Sequence, residues 1–146
     1  MHKVFYASGF LYHPPTQQIL LHQSDKDDLT LSTFRGKNVK NESPEDVFRR
    51  VVSEMLGLDL PPKHVLTVYD YFHQGLDAHY YVLFAKVRKP SLDYKLNGTT
   101  TIGWFPLKQL PKLKLSEKVR QDIIVGQRVI NYIERQKQEA LAKKEA

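Results

Sequence analysis

The stretch Gly36–Leu58, GKNVKNESPEDVFRRVVSEMLGL, decides how this chain is read. Its centre is a helix with both ends marked. Ser43 is a residue type that caps free helix amides, and Pro44 suits the first helical turn. Glu45 and Asp46 oppose the positive end of the helix dipole. The helix is predicted to run to about Leu56, where Gly57 supplies a left-handed cap. Pro61-Pro62 then blocks any continuation.

Strands are predicted on both sides. Upstream, Phe5–Tyr12 is aromatic and apolar and reads as a strand. His13-Pro14-Pro15-Thr16 is a turn, and Gln18–His22 is the returning strand. Ser24–Asp28 is a charged loop, and Leu29–Phe34 is a further short strand ending at Arg35-Gly36. Downstream, Val65–Phe72 and His79–Val87 read as a hairpin joined by Gln74–Ala78. Lys89–Thr101 is a polar loop and Ile102–Pro106 a short strand. Ser116 is placed to cap a last helix, whose Val119, Ile123, Ile130 and Ile133 follow helical spacing. Beyond Glu134 the chain is almost wholly polar and is expected to fray. The order predicts a mixed α/β single domain over residues 1–134 and a polar C-terminal helical tail over 135–146.

Composition narrows the chemistry. The chain has 146 residues, 41% apolar and 26% charged, which is globular and large enough for its own core. It contains no cysteine, so disulfides, thiol nucleophiles and cysteine-bound zinc are excluded. No apolar run approaches the ~18–20 residues of a membrane span, and no signal-peptide pattern opens the chain. The expectation is a cytoplasmic protein with no membrane association. The net charge of +6 suits anionic ligands such as nucleotides or RNA, and equally suits a solvated basic surface. No G-x-S-x-G elbow, H-E-x-x-H motif or phosphate-binding glycine loop occurs.

The opening stretch resembles the Nudix box, G-x5-E-x7-R-E-U-x-E-E-x-G-U, where U is a bulky aliphatic residue. Gly36, Glu42, Arg50, Val52, Glu54, Gly57 and Leu58 match it. Val51 and Met55 stand where the box has glutamates. The likeness extends over about residues 4–133, with hairpins on both sides of the box and a closing Ile102–Pro111 segment containing Trp104-Phe105. It implies a Nudix-type α-β-α sandwich.

The resemblance also implies a chemistry. Nudix proteins cleave a phosphoanhydride in a nucleoside diphosphate linked to another group, with Mg²⁺ or Mn²⁺ activating water and neutralising phosphate charge. Such hard cations need oxygen ligands. Helical spacing brings positions 51, 54 and 55 to adjacent turns, and here only Glu54 is a carboxylate. Carried over, Glu54 is the main metal ligand and catalytic group, and a carbonyl near Gly36 is a second ligand. Glu42, Arg50 and Gly57 take structural roles in the box. The bland reading of Glu54 is a solvated carboxylate paired with Arg50 four residues away. Val51 and Met55 read as packing residues.

Other residues are weighed for the same site. Asp77 and Asp93 are candidate replacement acids, and His73 and His79 flank the second hairpin turn. Arg35, Lys37 and Lys40 cluster in the box loop and suit phosphate binding. Tyr6, Tyr12, Phe34, Tyr69, Tyr71 and Tyr80 are candidates to stack a base. Two functions stand open at this point. One is a divergent metal-dependent pyrophosphohydrolase of a nucleotide-derived small molecule. The other is a catalytically impaired protein of the same fold that binds a nucleotide, RNA or a protein. A homodimer is compatible with either.

Overall fold

The computed structural model describes residues 3–23, 30–88 and 101–145. Within them lie β1 (Phe5–His13), β2 (Gln18–Gln23), β3 (Leu31–Ser32), β4 (Phe34–Lys37), α1 (Pro44–Leu56), β5 (Val65–His73), β6 (Ala78–Lys86), β7 (Thr101–Pro106) and α2 (Glu117–Glu145). The strands make one mixed sheet in the order β3-β2-β1-β6-β5, with β4 also on β1 and β7 also on β2. The predicted loop at Ser24–Asp28 and most of that at Lys89–Thr101 lie outside the described residues, as does Asp93.

β1 organises the sheet. It pairs parallel with β6 along Phe5–Tyr12 and antiparallel with β2 through Leu11–His13. The first half of β1 has parted from β2, and residues 31–37 fill the opening. β3 pairs with His22 and Gln23 of β2, while β4 pairs with Tyr6–Gly9 of β1. The strand expected at Leu29–Phe34 is therefore corrected. It breaks at Thr33, where the chain changes partner, and it continues to Lys37. Thr33 is buried; its hydroxyl meets that of Ser8, and its carbonyl accepts from His22 Nε2 at 2.8 Å.

Both sheet faces are covered, so β1 is buried continuously from Ala7 to His13 rather than alternately. On one face, α1 packs Val47, Phe48, Val51, Val52 and Leu56 against Ala7, Leu11, Leu20, Phe34 and Leu83. On the other, Ile123 and Ile130 of α2 pack with Phe10, Tyr12, Ile19, Leu21 and Phe84. The layers are helix, sheet, helix.

The helix ends follow from their residues. Asp46 N–H donates to Ser43 Oγ and Ser43 N–H donates to Asp46 Oδ2, each at 3.1 Å, which closes a capping box. Gly57 has φ of 66° and its N–H donates to the Ser53 carbonyl at 2.9 Å. Val119 N–H donates to Ser116 Oγ at 3.2 Å. Past Glu134, where the chain turns polar, α2 runs on to Glu145. Residues 135–144 are exposed, but Arg, Gln, Lys, Glu, Ala and Leu are all strong helix formers. Among the described residues no helix is long and apolar enough to cross a membrane.

Candidate ligand site

The box loop enters the sheet as β4, and a strand sends neighbouring residues to opposite faces. Gly36 lies opposite Ala7, on the α1 side, whereas Arg35 lies opposite Ser8, on the α2 side. The box residues therefore open onto two separate environments.

On the α1 side the environment is apolar and filled. A Cβ added to Gly36 would overlap Cγ2 of Val51, so the valine occupies the hollow that the glycine leaves. Val51 is 5% exposed, and Met55 packs partly buried against the same core. Glu54 points outward, with its side chain 59% exposed and its Oε1 3.5 Å from Arg50 Nη1. Among the described residues no three His, Asp or Glu side chains come together. One solvated carboxylate already facing an arginine is far from the oxygen set that Mg²⁺ or Mn²⁺ requires. The residues present do not fit a resident metal centre.

The loop itself is held firmly. Arg50 Nε donates to Glu42 Oε2 at 2.8 Å, and its Nη2 donates to Glu42 Oε1 at 3.0 Å and to the Lys37 carbonyl at 2.7 Å. Glu42 Oε1 also accepts from Val39 N–H at 2.8 Å. The Arg50 guanidinium holds the Glu42 carboxyl below its ordinary range. This two-pronged pair ties β4 and its loop to α1. Lys37 and Lys40 are exposed on that loop.

On the α2 side the environment is polar and aromatic. Ser8 and Arg35 both meet the Tyr80 hydroxyl. Tyr71 stacks between Tyr69 and Tyr80, at ring separations of 5.5 and 5.2 Å. The Tyr69 hydroxyl donates to Asp122 Oδ1 from α2. Lys118, one turn earlier, places its Nζ 3.8 Å from the centre of the Tyr71 ring. Tyr71, Phe72, His73, Gln74, Gly75 and Lys118 line a cavity of about 510 Å³, within the size range of small-molecule sites.

This side carries polar groups without partners. Asp122 is 1% exposed, yet its Oδ2 has no hydrogen-bond partner among the described residues; the same holds for the Tyr71 hydroxyl. Burial raises the Asp122 carboxyl above its ordinary range, against the lowering pull of Tyr69, Lys118 and His73. Burial likewise raises Tyr69 and Tyr71, so both stay protonated donors. Buried polar atoms normally find partners, which sets Asp122 Oδ2 and the Tyr71 hydroxyl apart from the rest of the cluster.

Of the sequence candidates, Arg35, Tyr69, Tyr71 and Tyr80 converge here. Tyr12 and Phe34 are core residues instead. His73 Nδ1 accepts from Leu76 N–H at 3.2 Å and shapes the turn, while His79 pairs with Asp70. Asp77 is an exposed turn residue with φ of 49°. Asp122, Lys118 and Phe72 were not signalled as candidates. Asp122 was legible in part, because it is an acid inside the apolar stripe of α2, beside Ile123. Lys118 and Phe72 have no comparable signal, since their role depends on α2 docking beside β5.

No family model matches the sequence, and no curated protein matches it. Solved structures do match the fold. MutT, described for Aliivibrio salmonicida and Vibrio cholerae, aligns at 14% identity over 86% of this chain and 96% of that one, with a TM-score of 0.68. The NUDIX domain of Shewanella oneidensis NrtR, complexed with ADP ribose, aligns at 12% identity over 89% and 90%, TM-score 0.68. A C. elegans Ap4A hydrolase aligns at 14% identity over 86% and 98%, TM-score 0.67. With TM-scores of 0.67–0.68 and most of both chains covered in each case, this chain has the Nudix fold.

Proposed function

We propose that this chain binds a nucleoside diphosphate derivative in the tyrosine cleft and does not hydrolyse it through a resident metal centre. The observation that carries this reading is Val51, buried over Gly36 where the box resemblance puts a carboxylate. A valine there supports packing and offers no metal ligand. On the opposite face, Tyr71 lines the cavity and offers its ring to a base, with Tyr69 and Tyr80 stacked against it and Asp122 held through the Tyr69 hydroxyl. Arg35, Lys37, Lys40 and Lys118 supply positive charge for the phosphates. The binding domain ends near Glu134, the last partly buried residue of α2 among those described, and 135–146 is an appended tail that is helical as far as Glu145.

The test is calorimetric titration of ADP-ribose and ADP into the protein, with EDTA, Mg²⁺ or Mn²⁺, alongside product analysis. The expected result is saturable binding that survives EDTA, is unchanged in Glu54→Gln, and falls at least tenfold in Asp122→Ala. Metal-dependent turnover abolished by Glu54→Gln would overturn the reading in favour of hydrolysis with a reduced ligand set.

A further inference from the structure

The opposite end of the sheet carries a second concave feature that the tyrosine cleft does not explain. Lys37 pairs with Tyr6 at the start of β1, whereas Pro14-Pro15 follows its end. Eight residues of strand separate the two, roughly 26 Å. At the far end lies a cavity of about 520 Å³, between the Pro14-Pro15 turn, the turn at Pro62–His64, the end of β6 and the outer part of α2.

The lining of this cavity is amphiphilic. Pro14, Pro15, Leu66 and Val87 are the apolar part of it, and Leu66 is 39% exposed although it is a large aliphatic residue. Lys63, Lys86, Arg88 and Lys137 add cationic side chains to that lining, and His64 adds an imidazole. The acid recorded against these cations is Glu134, 3.8 Å from Lys86 Nζ. The Lys86 side chain is 22% exposed, so its charge is partly withdrawn from water. Burial and the neighbouring Lys137 ammonium both lower its hold on a proton. Ammonium groups held together at a half-buried site repel, and a multivalent anion relieves that repulsion.

The rim is preorganised. His13 is buried, and its Nε2 donates to the Arg88 carbonyl at 2.9 Å while Nδ1 meets Thr16 Oγ1 at 2.6 Å. Val87 N–H donates to the Tyr12 carbonyl at 2.9 Å, and His64 N–H to the Pro61 carbonyl at 3.0 Å. Four prolines, at 14, 15, 61 and 62, stiffen the two turns. A rigid concave rim loses little entropy when a small ligand docks.

We propose that this cavity is a second binding site, separate from the tyrosine cleft, for a small organic phosphate whose apolar group rests on Leu66 and the prolines. The phosphate sits among Lys63, Lys86, Arg88 and Lys137. A cavity of this volume with a partly apolar lining fits a small molecule; an extended polyanion needs a continuous basic track instead.

Phenyl phosphate and inorganic phosphate are the probes, titrated into the full chain with amide NMR shifts as the readout. Phenyl phosphate is expected to bind at least fivefold more tightly than inorganic phosphate. Its shifts should centre on residues 63–66 and 86–88 and spare residues 35–42. Lys137→Met and Arg88→Gln, both at exposed positions, should each weaken phenyl phosphate at least fivefold and leave ADP-ribose affinity in the tyrosine cleft unchanged. Lys86→Met should weaken it further, and melting by circular dichroism checks that this variant is folded. Equal binding of phenyl and inorganic phosphate, or indifference to Lys137→Met and Arg88→Gln, would overturn the proposal. So would a ten-nucleotide RNA that displaces phenyl phosphate with a steep salt dependence, because that marks a nucleic-acid surface.

Discussion

Arg35 and Gly36 are consecutive on β4, yet they face two different chemistries. Beneath Gly36 every polar possibility has been replaced by contact: Val51 fills the glycine's hollow and Met55 joins the same core. Around Arg35 the reverse holds, with hydroxyls, a buried carboxylate and an ammonium gathered and some of their atoms still unpartnered. Both faces carry a core, but beside Arg35 the core of the α2 face gives way to a polar and aromatic cluster. The comparison shows that two consecutive residues of one strand can serve opposite ends, one closing a core and the other facing a polar cluster.

The largest expected effect comes from disturbing the Gly36 side. Gly36→Ala should destabilise the protein by about 3 kcal/mol in urea unfolding, because the new methyl group overlaps Val51. In a Val51→Ala background the same change should cost less than half as much. If the two losses simply add, Val51 is not what fills the hollow.

Next in size is the link between loop and helix. Glu42→Gln should cost about 1–2 kcal/mol at pH 7, since it removes a charge-assisted two-pronged pair. The folded carboxyl sits below its ordinary range, so this contribution is present above the unfolded pKa and disappears as pH falls through the folded value. Wild type and variant should therefore converge in acid. A gap that persists at pH 2 would mean that shape, not charge, holds the loop.

The Arg35 side should respond with the opposite sign. The Asp122 carboxyl is raised by burial, so the folded state holds its proton more tightly than the unfolded state does. Stability from this group is full below the unfolded pKa and is lost as pH rises through the folded one. Asp122→Asn should then be more stable than wild type at pH 7 by on the order of 1 kcal/mol, with the gain vanishing in acid. The same variant should bind ADP-ribose more weakly. Greater stability with undiminished binding would remove Asp122 from the site.

The smallest effect belongs to Glu54. Its carboxylate is exposed and meets a single arginine, so Glu54→Gln should change stability by less than ~0.5 kcal/mol. A larger loss would show that the Arg50 network extends beyond Glu42.

Much of this was legible from local signals. Ser43, Pro44 and Gly57 mark α1 to the residue, and the Pro14-Pro15 and Gln74–Asp77 turns mark both hairpins. Local signals do not report partner changes, so the break at Thr33 was hidden. It exists because β1 and β2 diverge. The box face could be read because its residues are close in sequence. The tyrosine cleft could be read only in part, because Asp122 reaches Tyr69 across 53 residues of chain.

The parallel pairing of β1 with β6 sets how the chain must assemble. Phe5 aligns with His79, so 74 residues separate the partners, while each hairpin closes across a single short turn. Hairpins of that kind form in microseconds, whereas joining two of them across so long a loop means closing it before the interface repays the lost entropy. Refolding should therefore be limited by that junction. Substitutions at Gly9 or Leu83, which face each other across it, should slow folding more than equally destabilising changes on the outer part of α2.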